Sequence, residues 1–337
     1  MNEAVTMTRA PFRSAVILLL AGLALSGCGS GIVGTPASQA VPLAVSSGPQ
    51  LGYVWDPAAS SIRPVLGVPG ASQFGQPVTG PGMYVNGAAS VRAALGLLQA
   101  ADGSIDSIAL PSGSPIPIAG ATAAAGAVIV FSPSGQNAIL FVPGGSSIAL
   151  LTALSTTPQV KQLNAPASLL AAVVGDTGQV AAVSGGGPLA VTMLTGSGAP
   201  LLALSGFGGF AFLPGADSLV AADNSTGTVT LLRNASTAPS AQAFTSPSIQ
   251  SPLAIAVSRD GNYAVVANSA DPSVVRIDLS GATAPLRIGC ACQPAQLMTF
   301  AGNAVFSLSA PGSATPAWVV DASAATPRTV FIPAVKP

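Results

Sequence analysis

Few side chains in this chain of 337 residues could carry out chemistry. The three cysteines are Cys28 and the closely spaced pair Cys290 and Cys292. The chain contains no histidine, which excludes histidine-ligated metals, Ser-His-Asp triads and histidine proton relays. The single glutamate, Glu3, lies near the start, so paired-carboxylate chemistry would have to use the ten aspartates. We therefore expect no metal centre and no cofactor.

The surroundings of Cys28 indicate an export signal. A segment with two arginines precedes an apolar run over residues 15–25, which is too short for a bilayer span of about 20 residues. The run ends in the tetrapeptide Leu25, Ser26, Gly27 and Cys28. This ending resembles the lipobox of bacterial lipoproteins, which implies cleavage before Cys28 and lipidation of its thiol. The alternative is an ordinary signal peptide with a chance cysteine.

The lipobox resemblance divides the chain into three parts: a cleaved signal peptide over 1–27, a flexible tether over 28–48 and a folded domain over 49–337. The tether is rich in Gly, Ser, Ala and Pro and carries no charge. The partner implied for the N-terminus is a membrane, since several acyl chains on one residue anchor stably. In enterobacterial lipoproteins, an aspartate directly after the lipidated cysteine favours retention in the inner membrane. This chain has Gly29 at that position, so the outer membrane is favoured, with the domain in the periplasm or at the cell surface.

Charge is scarce throughout the chain. Only 7% of the residues are charged, and the formal net charge is zero. Nucleic-acid binding depends on a basic surface, so we expect no nucleic-acid partner.

Short apolar runs recur along the folded domain. They begin at residues 53, 94, 139, 180, 219, 263 and 304, which places them 39 to 45 residues apart. This period is typical of the four-stranded blades of a β-propeller. We predict an all-β fold, a β-propeller of seven four-stranded blades, with six or eight as alternatives. Runs such as Leu169–Val174 predict innermost strands that are buried on both faces.

Turns with Gly and Asp or Asn precede several of these runs, as expected for tight hairpins. Residues 252–288 combine a Ser-Arg-Asp-Gly turn, a Val-Ala-Asn-Ser strand and an Ile-Asp-Leu strand. This unit resembles the YVTN-type β-propeller repeat. The resemblance is looser over 126–163, 208–246 and 296–333. The ring closes either by a last strand near residues 328–333 or by residues 41–45 adding to the last blade.

The remaining polar residues have structural explanations. Cys290 and Cys292 predict a disulfide in an exported protein, pinning a blade junction, with a redox site beside Arg287 as the alternative. Arg233 and Arg276 are expected to be solvated charges. Eight aspartates are expected to cap turns: Asp56, Asp176, Asp217, Asp223, Asp260, Asp271, Asp278 and Asp321.

Two functions fit the sequence. The first is a non-catalytic interaction module of the cell envelope, which binds an envelope protein, a peptide or a glycan. The alternative is a lactonase-like or glycan-acting hydrolase or lyase that uses Asp and Arg side chains at the propeller channel. The alternative requires at least three of these side chains to converge at one mouth. The oligomeric state is left open.

Overall fold

The computed structural model describes residues 48–80, 82–196, 198–310 and 315–334. The predictions for the signal peptide, for Cys28 and for the tether up to residue 47 lie outside these ranges. The described residues form strands and turns without a helix, and hence no helix long and apolar enough to cross a membrane.

The strands form seven antiparallel sheets, each from consecutive strands. The first sheet contains β1(Gln50–Asp56), β2(Ser61–Val68) and β3(Ala71–Phe74). The second contains β4(Tyr84–Ser90), β5(Leu95–Ala100), β6(Ser104–Ala109) and β7(Ile116–Thr122). The third contains β8(Val128–Phe131), β9(Ala138–Phe141), β10(Ser147–Thr152) and β11(Gln159–Asn164). The fourth contains β12(Leu169–Val174), β13(Val180–Ser184), β14(Leu189–Met193) and β15(Pro200–Leu204).

The remaining three sheets follow the same order. The fifth contains β16(Phe207–Phe212), β17(Ser218–Asp223), β18(Thr228–Arg233) and β19(Ser240–Thr245). The sixth contains β20(Pro252–Val257), β21(Tyr263–Asn268), β22(Ser273–Asp278) and β23(Leu286–Gly289). The seventh contains β24(Met298–Thr299), β25(Val305–Ser307), β26(Ala317–Asp321) and β27(Arg328–Ile332).

These sheets are the blades of a seven-bladed β-propeller, which confirms the predicted fold. The first strands of the first six blades contact one another in order and surround a central channel. The first blade has three strands among the described residues, whereas the other six have four. The predicted unit over 252–288 is the sixth blade, and its membership in the YVTN-type family stays a prediction.

In the second to seventh blades the strongest burial lies on the second strand. All residues of β9 and β17 are buried, and so are all but one of β13 and β21. The prediction that the innermost strands are buried on both faces was wrong, since Leu170 on β12 is 42% exposed. The innermost strand borders the channel, while the second strand is covered by both neighbouring blades.

The apolar runs that recur along the sequence coincide with these second strands in six blades. In the first blade the apolar run begins at Tyr53, which lies on the innermost strand β1. The second strand of this blade is β2. The turns before the second strands have the predicted geometry. A glycine with positive φ occupies the turn in five blades: Gly135, Gly178, Gly215, Gly261 and Gly302.

The ring closes by packing between the first and last blades. The last blade takes β27 as its own fourth strand, as one of the two predicted schemes requires. Ala301 N–H donates a hydrogen bond to Leu51 O at 2.6 Å across this seam. Phe300 is 2% exposed and packs directly on Gly52, where a Cβ atom would come within 3 Å of its ring. The seam therefore depends on a glycine that leaves room for an aromatic side chain.

Candidate functional site

Cys290 and Cys292 are joined in a disulfide. The bridge lies in the connection between β23 and β24, and both cysteines pack against the core between the sixth and seventh blades. Cys290 N–H also donates to Pro272 O at 2.9 Å. Arg287, the cation proposed for a redox site, pairs instead with Asp271 at 2.8 Å. The disulfide therefore closes a small loop within the connection between the sixth and seventh blades.

The aspartates cap turns, as expected. Seven of the eight predicted capping residues accept at least one backbone N–H: Asp56, Asp176, Asp217, Asp223, Asp260, Asp278 and Asp321. Asp271 accepts the Ser273 hydroxyl and pairs with Arg287. Asp102 accepts from Ser104, and Asp106 accepts the hydroxyl of Tyr84 at 2.7 Å.

Asp176 caps turns of the two neighbouring blades. Its carboxylate accepts Ser134 N–H from the third blade at 2.6 Å and Gly215 N–H from the fifth blade at 2.8 Å. Burial acts to raise the pKa of Asp176, but the hydrogen bonds from Ser134, Gly215 and Ser132 outweigh it and lower the pKa below 3.8. This carboxylate ties the turns of three consecutive blades together.

Asp260 makes a similar link between the sixth and seventh blades. Asn303 donates to its carboxylate at 2.8 Å, and Asp260 N–H donates to Asn303 Oδ1 at 3.0 Å. Burial raises the pKa of Asp260, and the bonds from Ser258, Asn262 and Asn303 more than reverse the shift. Both linking carboxylates lie in the turns between first and second strands, so they brace one face of the ring.

The two arginines also connect blades. Arg276 donates to Ala322 O at 2.8 Å and lies 5.0 Å from the centre of the Tyr263 ring. Arg233 is exposed and donates to Leu279 O at 3.4 Å. Each acceptor is the residue just after the third strand of the next blade. The expectation of a solvated charge was therefore wrong for Arg276, which is half-buried.

The described acidic side chains do not converge at one site. No group of three or more cysteine, aspartate or glutamate side chains among them could hold a metal ion. The ion pairs in this part of the chain are Asp56 with Arg63 and Asp271 with Arg287, in the first and sixth blades. Charged groups are thus distributed around the ring and bound locally.

The opposite face carries a repeated backbone feature. A β-bulge interrupts the start of the first strand in five blades, each time at the same end of the channel. The residues that the bulges displace are Leu51, Val85, Leu170, Gly208 with Gly209, and Leu253. Bulges redirect side chains at the rims of β-structures. We call this end of the channel, where the first strands begin, the inlet mouth.

Three aliphatic side chains are exposed at the inlet mouth. Val85 is 59% exposed, Leu170 is 42% exposed, and Val128, the first residue of β8, is 37% exposed. They come from the second, third and fourth blades, so they form one continuous arc. Large apolar groups held at a rim by backbone geometry are typical of a contact surface.

A cavity of about 520 Å³ opens beside this arc, between the second and third blades. It is lined by Val85, Asn86, Gln99, Asp102 and small residues of the segments 100–103 and 123–127. Gln99 is 2% exposed and donates to Ala123 O at 2.8 Å, while Asn86 donates to Ala127 O at 2.7 Å. Both amides hold the loop, and the exposed carboxylate of Asp102 accepts from Ser104. A ligand here would therefore meet mainly small side chains together with one carboxylate.

Tyr84 stabilises the start of β4, directly before Val85. Its ring is 4% exposed, and burial, followed by its hydrogen bond to Asp106, raises its pKa to about 12. The hydroxyl therefore stays protonated at neutral pH and fixes the start of β4 on β6.

Comparison with known proteins gives the fold only. No protein-family model and no curated protein matches the chain. A functionally unknown protein from Desulfotomaculum acetoxidans is 14% identical, with 85% of this chain and 95% of that chain covered at a TM-score of 0.57. Apo AztD from Citrobacter koseri is 13% identical, with 85% and 81% covered at 0.55. The β-propeller domain of Cps50 (Swd1) from Myceliophteria thermophila is 11% identical, with 75% and 88% covered at 0.53.

Sequence reasoning missed the inlet mouth. In the sequence, nothing distinguishes the three exposed residues Val85, Val128 and Leu170 from other apolar strand residues. Their exposure depends on where the chain enters each blade. The available signal was an aliphatic residue at one of the first two positions of the innermost strand in the second, third and fourth blades. The bulge that displaces it depends on strand register, which spacing alone does not define.

Proposed function

We propose that this chain is a lipid-anchored protein of the bacterial cell envelope whose propeller is a non-catalytic interaction module. The observation that carries the proposal is the arc of Val85, Val128 and Leu170 at the inlet mouth, which lies beside a cavity lined largely by small residues. An apolar segment of another envelope protein is the partner that fits best. Glycans are recognised through several polar groups. At this cavity the two amides already hold the loop, and Asp102 already binds Ser104.

The hydrolase alternative receives less support. It requires several Asp and Arg side chains at one mouth, whereas the described aspartates bind turn atoms at different positions around the ring. The proposal of a lipid anchor is supported by the lipobox-like tetrapeptide that ends in Cys28. Placement in the outer membrane is supported by Gly29.

The experiment is affinity capture from detergent-solubilised envelope with the full chain. We expect a reproducible partner that is lost with the triple variant V85D/V128D/L170D and retained with I116D. Ile116 is a matched control because it is 64% exposed on the outer strand β7. Equal capture by all three proteins, or no reproducible partner, would contradict the proposal.

The anchor is tested separately. A palmitate analogue should label the wild-type protein and leave the Cys28→Ala variant unlabelled. An unlabelled wild-type protein that is still cleaved would favour the ordinary signal peptide.

A further inference from the structure

A turn with an exposed carboxylate borders the cavity at the inlet mouth. Tyr84 at the start of β4 pairs with Ala100 at the end of β5, so the turn that follows β5 lies at the same end of the blade as Val85. Asp102 is exposed in this turn and lines the cavity. The loop 123–127 is held against the same turn by hydrogen bonding. Val85 of the arc and Asp102 therefore border one cavity.

The hydrogen bonds of Asp102 leave one carboxylate oxygen open. Ser104 donates its backbone N–H at 2.9 Å and its hydroxyl at 2.7 Å, both to Oδ1. Within the described part of the chain, Oδ2 accepts no hydrogen bond, and no Lys or Arg side chain pairs with this carboxylate. The hydroxyl of Ser104, followed by its N–H, holds the pKa of Asp102 below 3.8, so the group is ionised at neutral pH.

The other side chains at the cavity have no hydrogen-bond donor to spare. Nε2 of Gln99 donates to Ala123 O at 2.8 Å and to Ala124 O at 3.1 Å, which uses both of its protons. Nδ2 of Asn86 likewise donates to Ala127 O at 2.7 Å and to Gln99 Oε1 at 3.4 Å. The remaining side chains are those of valine and alanine. An apolar surface beside an unpaired carboxylate matches an aliphatic side chain with a cationic head.

The single open oxygen distinguishes between the two basic side chains. A guanidinium binds a carboxylate best as a fork, with one bond to each oxygen. Oδ1 of Asp102 already accepts two hydrogen bonds, which disfavours the fork. An ammonium is a compact charge that needs one oxygen, and its four-carbon stem covers apolar surface. Lysine therefore fits this cavity better than arginine.

We propose that the segment bound at the inlet mouth carries a lysine whose ammonium group binds Oδ2 of Asp102. The stem of this lysine lies over the small residues of the cavity beside Val85, while apolar residues next to it cover Val128 and Leu170. The inference rests on the proposed interaction function and defines the partner more closely. The arc supplies apolar contact, and the charge of Asp102 selects one residue that the segment must contain.

The test measures peptide binding to the full chain by fluorescence anisotropy. The probes are three labelled leucine-rich peptides that differ at one central position, which is lysine, arginine or norleucine. Wild type should bind the lysine peptide about three- to fivefold more tightly than the other two, as expected for a solvent-accessible ion pair. D102N should remove this preference, although its side-chain oxygen still caps the turn. D321N is the matched control and should keep the preference, because Asp321 accepts from Ser323 just as Asp102 accepts from Ser104.

Three outcomes would overturn the proposal. The first is equal affinity of wild type for the lysine and norleucine peptides, and the second is a lysine preference that survives D102N. The third is an arginine peptide that binds as tightly as the lysine peptide.

The triple variant V85D/V128D/L170D separates this proposal from the proposed function. If wild type binds all three peptides equally and the triple variant binds none, the inlet mouth binds apolar segments and the assignment of a lysine is wrong. Absence of binding by wild type, or equal binding by the triple variant, would contradict the proposed function as well.

Discussion

The carboxylate of Asp176 accepts the backbone N–H of Ser134 at 2.6 Å, although the two residues belong to different blades. The same carboxylate accepts Gly215 N–H from a third blade at 2.8 Å. Neighbouring blades are otherwise held mainly by apolar packing, which has no preferred direction. Asp176 supplies directional bonds that set the position of one blade relative to the next.

Replacing Asp176 with Asn should destabilise the ring. The amide offers one acceptor atom in place of two and turns a donor toward one backbone N–H, and hydrogen bonds to charged groups contribute about 1.5–3 kcal/mol. We expect a loss of about 1–3 kcal/mol in the free energy of unfolding, measured by urea denaturation. The matched control is D321N, because Asp321 caps only its own turn. Equal losses for both variants would show that the cross-blade bonds contribute nothing extra.

Stability should also fall in acid. The pKa of Asp176 is lower in the folded protein than the ordinary value of 3.8, since its hydrogen bonds outweigh the effect of burial. In the window between the lowered pKa and 3.8 the unfolded chain therefore binds more protons, and stability rises with pH. The contribution is complete above about pH 5 and is lost as the pH falls below 3.8.

Urea unfolding of wild type and D176N at pH 7, 4.5 and 3 measures this contribution. The difference between the two proteins should be constant from pH 7 to 4.5 and should shrink at pH 3. A difference that stays the same at all three values would assign the acid sensitivity to other groups.

The seam between the first and last blades should be sensitive to Gly52→Ala. The added methyl group overlaps the Phe300 ring, and overpacking of this kind typically costs about 1–3 kcal/mol. Gly187→Ala is the control, since nothing lies within 4 Å of its Cβ position, and it should change stability by less than about 0.5 kcal/mol. Phe300→Leu should relieve part of the strain, so the double variant G52A/F300L should lose less than the sum of the two single losses.

The Cys290–Cys292 disulfide should contribute modestly to stability. A loop with one intervening residue removes little chain entropy, which corresponds to about 1–2 kcal/mol. We expect the double variant C290S/C292S and the chemically reduced wild type to show the same small drop in thermal midpoint. Partner capture at the inlet mouth should be unchanged. Loss of capture on reduction, with no change in thermal midpoint, would favour the redox alternative.

The fold was predictable because its signal is local. A glycine such as Gly261, with φ of 75°, marks a turn wherever the chain lies in space, and seven such units at a constant period define a ring. The same local pattern failed at Tyr53, in a blade where the turn before the second strand, residues 57–60, contains no glycine. The run was then taken for the second strand.

The site was less predictable because it depends on relationships between distant residues. Nothing near Asp176 in the sequence indicates Ser134 or Gly215, which lie 42 and 39 residues away. The exposure of Val85 depends on a bulge that only the pairing of β4 with β5 defines. Likewise, the short first blade depends on how residues 75–78 run beside β2.

The ring closes without sharing a strand between the first and last blades, which has a consequence for circular permutation of the chain. Every blade is one continuous stretch of sequence, and Gly48 and Pro333 line the same cavity. A short linker could therefore join the two ends, and new ends could be opened at an exposed loop such as the one at Gly187. The order of the blades around the channel would be unchanged in such a circular permutant. The ring therefore offers seven starting points, one at each blade.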